Sequence, residues 1–143
     1  MGDTITLRAM GPDDLGALMA VAPGLFDNPL RESEARAFLN DPANLMILAF
    51  DGISAVGMAT GTILRHPDKA PALFVNEVGV RESHQRRGIG RQVTEALIAE
   101  GRARGCEGAW LGTEADNKAA LALYRSMAGE EVAGAFFGWD GGL

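Results

Sequence analysis

The most informative stretch of the chain reads VNEVGVRESHQRRGIGR and runs from Val75 to Arg91. Its first part, up to Val80, is rich in β-branched residues and predicts a strand. A short polar loop follows, and Gly88 and Gly90 then open a helix. The stretch therefore predicts a strand, a loop and a helix that begins on glycine.

The glycine turn is a candidate phosphate site. Glycines before a helix let several backbone N–H groups approach a ligand closely, and the helix N-terminus adds partial positive charge. Arg86, Arg87 and Arg91 would add charge from the flanks. No lysine follows in the manner of a nucleoside-triphosphate loop, and Val93 breaks the dinucleotide fingerprint. An ordinary tight turn is the alternative interpretation.

Alternating and 3.6-residue patterns extend this organisation to the rest of the chain. Pro12 and Asn28-Pro29 are start signals for two short helices, and Asp51-Gly52 predicts a hairpin turn. Asp116 is the predicted cap of the last helix. Strands are predicted over 5–8, 45–50, 55–64, 73–80, 109–113 and 135–139, and the two later helices over 91–104 and 117–127.

This order of elements predicts an α+β fold. An antiparallel meander followed by a β-α-β unit gives a mixed, mostly antiparallel sheet with helices on both faces. The 143 residues suffice for one core, so we expect a single domain over 1–143.

Composition narrows the classes of function. The formal net charge is −6, which disfavours general binding to nucleic acid or anionic lipid. From Arg81 to Arg104, six Arg against three Glu give a local +3, which leaves −9 for the remainder. A basic island in an acidic protein suits a phosphorylated ligand beside a cationic one, although solvated helix charges would give the same pattern.

The cysteine count and the N-terminus bear on location. One cysteine, Cys106, excludes a disulfide framework. No signal-like or membrane-spanning stretch is found, so we expect a soluble, cytoplasmic protein. His66 and His84 lack partners at metal-ligand spacing, so no metal is expected.

Three motifs in order carry a family resemblance. Gln85-x-x-Gly88-x-Gly90 follows a strand that ends Val78-x-Val80, and Asn117 and Leu123-Tyr124 come after the next strand. This arrangement resembles the GNAT superfamily of acetyl-CoA-dependent N-acetyltransferases. The segments 66–69, 76–80 and 113–117 look most like the aminoglycoside 3-N-acetyltransferase group.

The resemblance implies a GNAT-like fold with a splayed central strand pair that holds acetyl-CoA. The coenzyme arm would pair with the backbone of Val78 and Val80, in the manner of an added strand. Asn117 would hydrogen-bond the same arm, while an ordinary role at the helix start is its alternative. The implied pyrophosphate contacts are Gln85, Arg86, Arg87, Gly88, Ile89, Gly90 and Arg91.

The same resemblance implies two catalytic residues. Glu77 would remove a proton from the acceptor ammonium, which has no lone pair with which to attack. Tyr124, the one tyrosine, would protonate the departing thiolate. The alternatives are a solvated or arginine-paired Glu77 and a Tyr124 at a wet core edge, with Glu114 and Asp116 as reserve acids.

The expected acceptor is a small cationic amine such as an aminoglycoside or polyamine, which the acidic surface would attract. A protein N-terminus or lysine is the rival acceptor, and a non-catalytic acyl-CoA sensor is a rival of another class. Phe136, Phe137 and Trp139 would fill the core or a subunit contact. The short C-terminus leaves a sheet edge to cover, so we also expect a homodimer.

Overall fold

The sheet that organises the chain has five strands. A computed structural model describes residues 4–143. The strands are β1 (Ile5–Ala9), β2 (Asn44–Asp51), β3 (Ser54–Leu64), β4 (Ala72–Val80) and β5 (Gly108–Trp110). They lie in the order β1-β2-β3-β4-β5; the first three pairings are antiparallel, and β4–β5 is parallel. The prediction of a mixed, mostly antiparallel sheet is therefore confirmed.

Helices cover both faces of this sheet, as predicted. They are α1 (Leu15–Met19) and α2 (Glu32–Asn40) on one face and α3 (Ile89–Ala103) on the other. The α3 face buries Val93 and Leu97 against Leu45, Val56 and Leu73. The α1–α2 face, by which we mean the opposite side, buries Leu18 and Leu39 against Met46, Leu48 and Met58. Each buried leucine or valine contributes about 1.5 to 3 kcal/mol by leaving water.

The chain forms two compact units. The first extends to Gly112 and contains the whole sheet with α1, α2 and α3. The second begins at Thr113 and contains α4 (Lys118–Ser126). The expectation of one domain over 1–143 stays a prediction.

Strand β4 carries a bulge at Asn76. Glu77 is opposite Thr60 and Val75 is opposite Gly61, so Asn76 has no counterpart on β3. A bulge places two residues against one and breaks the alternation of side chains. As a result Val75 and Val78 both contribute to the α3 face, while Asn76 and Glu77 lie between them.

From Val75, just before this bulge, β4 no longer pairs with β5. The parallel ladder ends where Phe74 is opposite Trp110, and β4 continues to Val80. Among residues 4–143, no strand other than β3 pairs with β4 over 75–80. This is the splayed pair that the family resemblance implies.

Several predicted boundaries were wrong. Pro12–Asp14 forms a 3-10 turn, so that α1 begins at Leu15 rather than at Pro12. Helix α2 begins at Glu32 rather than directly after Pro29, because Arg31 is extended. β5 ends at Trp110 rather than at residue 113, since its ladder with β4 stops where Phe74 is opposite Trp110.

The predicted strand over 135–139 is also wrong. In the second unit, α4 is the one helix or strand among the described residues, so that unit offers no strand for the segment to pair with. Phe136, Phe137 and Trp139 are 58%, 77% and 77% exposed and so do not fill a core in this chain. The cap of α4 is Asn117, whose Oδ1 accepts a hydrogen bond from the Ala120 amide at 3.0 Å, and not Asp116.

Candidate active site

The start of α3 presents a cluster of backbone amides. Gly88 has a φ of +78°, the left-handed conformation that glycine adopts without strain, and the helix begins at the next residue. Ile89 is 1% exposed and anchors this end of the helix in the core. Within residues 4–143, the N–H groups of Gly88, Ile89 and Gly90 donate to no protein acceptor. Three amides at a helix N-terminus fit a diphosphate well.

Arginines surround these amides. Arg86 has a φ of +65° and lies with Arg87 and Arg91 at the surface. Arg91 donates through Nε to Glu95 at 3.3 Å, one turn further along α3. The amides and the arginines together give the α3 N-terminus a positive potential that favours an anion.

Gln85 links the loop to the strand. Its Nε2 donates to the carbonyl oxygen of Val80 at 3.2 Å, and its own amide makes a long 3.4 Å bond to the Glu82 carbonyl. The side chain of Gln85 thus links the loop before the glycine turn to the end of β4 by a hydrogen bond. Its side-chain nitrogen and its backbone N–H therefore already have protein partners.

The free edge of β4 leads to this turn. Val78 and Val80 are half-buried against the α3 face, and their backbone lies on the part of β4 that β5 does not cover. An unpaired strand edge can hydrogen-bond an extended ligand rich in amides. Loop 81–87 joins this edge to the glycine turn along the chain, and the edge and the turn together make up the backbone surface of the candidate site.

Glu77 lies on the α1–α2 face beside this edge. Because of the bulge, Glu77 and Gly79 share that face, and the Leu25 carbonyl oxygen lies 3.2 Å from where a Cβ on Gly79 would be. The loop that carries Leu25 and Asp27 therefore runs over this part of β4. Glu77 is exposed, yet the pKa of its carboxyl is raised. The larger cause is partial desolvation by the surrounding protein, and the smaller cause is the negative charge of Asp27. Among the described residues, no basic side chain forms an ion pair with Glu77.

Arg81 holds that loop against the sheet. Its guanidinium donates to the carbonyl oxygens of Ala22 at 2.7 Å, Pro23 at 2.9 Å and Ala55 at 2.8 Å. Three charge-assisted hydrogen bonds make this a strong connection between the loop and β3. A cavity of about 240 Å³ lies along the same loop and is lined by Met19, Val21, Ala22, Pro23, Gly24, Phe26, Asn28, Pro29 and Leu30.

The remaining predicted site residues belong to the second unit. Asn117 caps α4, so its Oδ1 is occupied. Tyr124 lies on α4 and is half-buried, which raises the pKa of its phenol. A phenol with a raised pKa stays protonated at neutral pH and can donate a proton.

The two histidines and the cysteine have other surroundings. His66 is exposed in the loop between β3 and β4. His84 lies with one ring nitrogen 2.8 Å from Asp51 and the other 2.7 Å from Ser83. Cys106 is buried in the core. In the described part of the chain, no group of three or more His, Cys, Asp or Glu side chains is placed to hold a metal, and no helix is long and apolar enough to span a membrane.

Sequence reasoning missed two features of this site. The bulge at Asn76 could have been found, because two consecutive polar residues between Val75 and Val78 break the strand alternation in the way a bulge does. The role of Arg81 could not, since its acceptors are main-chain carbonyls more than 25 residues away. Backbone acceptors leave no trace in side-chain patterns.

The fold and this backbone surface agree with a known family of enzymes. The sequence pattern of the acetyltransferase (GNAT) family matches residues 17–129. The chain therefore belongs to the GNAT family, and the prediction of its family is confirmed.

Two curated relatives of this chain carry different named activities. The ribosomal protein bS18-alanine N-acetyltransferase of Salmonella typhimurium is 40% identical over 89 residues, which cover 62% of this chain and 55% of that protein. The mycothiol acetyltransferase of Saccharopolyspora erythraea is 34% identical over 87 residues, which cover 61% of this chain and 27% of that protein. This chain thus matches about half of the first relative and about a quarter of the second.

Solved structures share the fold over nearly the full length. The aminoglycoside N-acetyltransferase AAC(6')-Iy in complex with CoA has a TM-score of 0.79 at 20% identity, covering 99% of this chain and 97% of that one. The ribosomal-protein-alanine N-acetyltransferase of Brucella melitensis has a TM-score of 0.74 at 16% identity, covering 94% and 98%. At these identities the likeness shows the fold, and the GNAT-like α+β architecture is confirmed.

Proposed function

We propose that this chain transfers an acetyl group from acetyl-CoA to a primary amine. The observation that supports it most is that one short loop, 81–87, joins two sets of available backbone groups: the edge of β4 that β5 does not cover, and the amides of Gly88, Ile89 and Gly90, which donate to no protein acceptor within residues 4–143. A strand edge suits the amide-rich arm of the coenzyme, and a helix N-terminus suits its diphosphate.

Bound acetyl-CoA would supply the acetyl group as a thioester. The amides of Gly88, Ile89 and Gly90 hold its diphosphate in this proposal, and the edge at Val78 and Val80 aligns its arm. A backbone N–H near Val78 polarises the thioester oxygen as negative charge develops there. Such a donor is worth about 3 kcal/mol in comparable sites.

Glu77 acts as the base. An acceptor amine is mostly an ammonium ion at neutral pH, so it must lose a proton before its nitrogen can form the new C–N bond. The raised pKa of Glu77 makes its carboxylate a better proton acceptor than an ordinary surface glutamate. The carboxyl takes this proton directly or through water.

Tyr124 acts as the acid. As the C–S bond breaks, its phenol gives a proton to the departing thiolate. The nitrogen loses its second proton to water as the amide forms, and water returns a proton to the phenolate. The raised pKa keeps the phenol protonated until the C–S bond breaks. Asn117 hydrogen-bonds the coenzyme arm through the amide group that its capping bond leaves over. The acetyl group passes directly to the amine, since the single cysteine, Cys106, is buried in the core and offers no exposed thiol for an acyl-enzyme.

A small cationic amine is the favoured acceptor, with an aminoglycoside or polyamine as the leading class. Asp27 and Glu77 are close enough for the charge of one to raise the pKa of the other, so together they attract a cation. The aminoglycoside names among the structural neighbours support this class. A protein N-terminus is the second candidate, because the relative at 40% identity is named for ribosomal protein alanine.

A thiol-release assay tests the function. The purified chain with acetyl-CoA is given neamine, spermidine, or a peptide with N-terminal alanine, and free coenzyme is measured against time. We expect release with at least one amine, and Glu77→Gln should lower the rate at neutral pH while calorimetry shows unchanged CoA affinity. Binding of CoA without release from any amine would favour a non-catalytic sensor and overturn the proposal.

We also propose a homodimer. Strand β5 is at an edge of the sheet, Trp110 on it is 53% exposed, and Phe137 and Trp139 are 77% exposed in the second unit. Exposed aromatic side chains in each unit, and a strand at the end of the sheet order, each favour a second copy as cover. Light scattering should show a dimer that Phe137→Ser weakens, whereas Ile53→Ser, at a residue 99% exposed on the β2–β3 turn, leaves it intact. A monomer for the wild type would contradict this.

A further inference from the structure

A chain of hydrogen bonds crosses the α1–α2 face from the bulge of β4. The Nδ2 of Asn76 donates to the hydroxyl of Thr62 on β3 at 2.9 Å. That hydroxyl donates to the Oδ1 of Asn44 on β2 at 3.2 Å. The Nδ2 of Asn44 in turn donates to the Phe38 carbonyl oxygen in α2 at 3.4 Å. One polar chain thus connects three strands and a helix.

The three hydrogen bonds all run in one direction, from the donor Asn76 to the final acceptor Phe38. A threonine hydroxyl has one proton, and giving it to Asn44 leaves its lone pairs free to accept from Asn76. The members therefore polarise one another in the same sense. Thr62 and Asn44 are half-buried, which limits competition from water for the bond between them, whereas Asn76 at the start of the chain of bonds is exposed.

The bulge determines the face on which Glu77 lies. In a regular strand, alternation would place Glu77 with Val75 on the apolar α3 face. The extra residue, Asn76, shifts the alternation by one, so that Glu77 joins Gly79 on the α1–α2 face near Asp27. A one-residue slip would turn the carboxyl toward α3.

We propose that Asn76 and Thr62 are positioning residues that hold this bulge and thereby orient Glu77. The inference rests on the proposed function, because it assigns to Glu77 the role of base. Asn76 is the bulged residue itself, and its side chain ties it to β3, where Thr62 occurs two residues beyond the partner of Glu77. Neither residue touches the acetyl group or the amine in this scheme.

Paired substitutions at Thr62 test the role. Thr62→Val keeps the size and β-branching but removes the hydroxyl, while Thr62→Ser keeps the hydroxyl. We expect Thr62→Val to lower kcat about tenfold with KM for acetyl-CoA unchanged, since a misplaced base costs rate rather than coenzyme binding. Thr62→Ser should restore kcat to within about twofold of the wild type. Equal kcat for the valine variant and the wild type would overturn the proposal.

Asn76→Ala provides a second variant at an exposed position, where folding is least at risk. We expect the same split, with kcat reduced and KM for acetyl-CoA retained. A rise in KM with constant kcat would assign Asn76 to the coenzyme edge and overturn the proposal.

Unfolding measurements give a readout that needs no substrate. Urea midpoints of Thr62→Val, Asn76→Ala and the double variant form a cycle, and coupling between the two sites is expected because they share a hydrogen bond. Strictly additive midpoints would overturn the inference. A wild type that releases no thiol with any amine marks failure of the proposed function, whereas an active wild type with an equally active Thr62→Val marks failure of this inference alone.

Discussion

The imidazole Nε2 of His84 lies 2.8 Å from a carboxylate oxygen of Asp51. The other ring nitrogen lies 2.7 Å from the Ser83 hydroxyl, so both polar atoms of the ring have partners. The His84 side chain is 16% exposed. Asp51 ends β2, and Gln85 follows His84, so this contact connects the β2–β3 hairpin to the start of the glycine turn.

Removal of this contact should weaken coenzyme binding. In His84→Ala the hairpin no longer holds the loop, and we expect a loss of about 1 to 2 kcal/mol in the free energy of unfolding. We also expect severalfold weaker CoA binding by calorimetry with kcat little changed. His66→Ala removes an exposed histidine from another loop and should alter neither quantity. Unchanged CoA affinity in His84→Ala would show that the loop holds its shape without the ring.

Glu77 should reduce stability at neutral pH. Its pKa is raised in the folded protein, so the folded state binds the proton more tightly than the unfolded state. Stability therefore falls as pH rises from the ordinary value of 4.5 through the raised pKa. Glu77→Gln lacks this titration, so we expect a higher melting temperature than the wild type at pH 7 and a smaller gain at pH 4.

The melting temperatures of both proteins across this pH range provide the check. Glu107→Gln removes the same charge from an exposed loop and serves as the control. A gain for Glu77→Gln that is the same at both pH values would contradict a raised pKa.

Asp27 should set the acid side of the activity profile. Its charge raises the pKa of Glu77, so Asp27→Asn lowers that pKa and leaves the base deprotonated at lower pH. We expect the acid limb of kcat/KM against pH to move to lower pH. Asp68→Asn makes the same charge change in the β3–β4 loop and should leave the limb in place. If the acid limb did not move in Asp27→Asn, the group that titrates in that limb would not be one whose pKa Asp27 influences.

The parts of the fold predictable from sequence were those with local signals. Asp51-Gly52 predicted the β2–β3 hairpin because its turn chemistry is local. The glycine turn predicted the start of α3 to within two residues. The prediction of a strand over 135–139 was wrong because exposed segments can have the same aromatic pattern. A strand also needs a neighbouring strand to pair with, and the local sequence does not show whether one is present.

For the candidate site, the sequence predicted which residues take part but not the face of the sheet on which each side chain lies. Glu77 was expected between apolar neighbours, yet only the Asn76 bulge places it on the α1–α2 face. The backbone carbonyl of Leu25 occupies the space beside Gly79 where a side chain would lie, although the two residues are 54 positions apart. Tertiary contacts of this kind leave no periodic pattern in the chain.

Gly88 and Gly105 provide a matched test of the amide cluster, because both have positive φ and open space where a side-chain carbon would lie. Their φ values are +78° and +98°, and a Cβ at either would meet nothing within 4 Å. Alanine at each should therefore cost a similar conformational strain of about 1 to 2 kcal/mol in unfolding experiments. Gly88 precedes α3, whereas Gly105 follows it.

Of these two substitutions, only Gly88→Ala should change the affinity for the coenzyme. Relief of strain at position 88 rotates the peptide whose amides hold the diphosphate in the proposed complex, so we expect Gly88→Ala to weaken CoA binding about tenfold in calorimetry. Gly105→Ala should keep the wild-type affinity despite an equal loss of stability. Because the two variants share the same strain, any difference between their affinities reports on the amides at the start of α3. Equal affinities would mean that the diphosphate binds elsewhere.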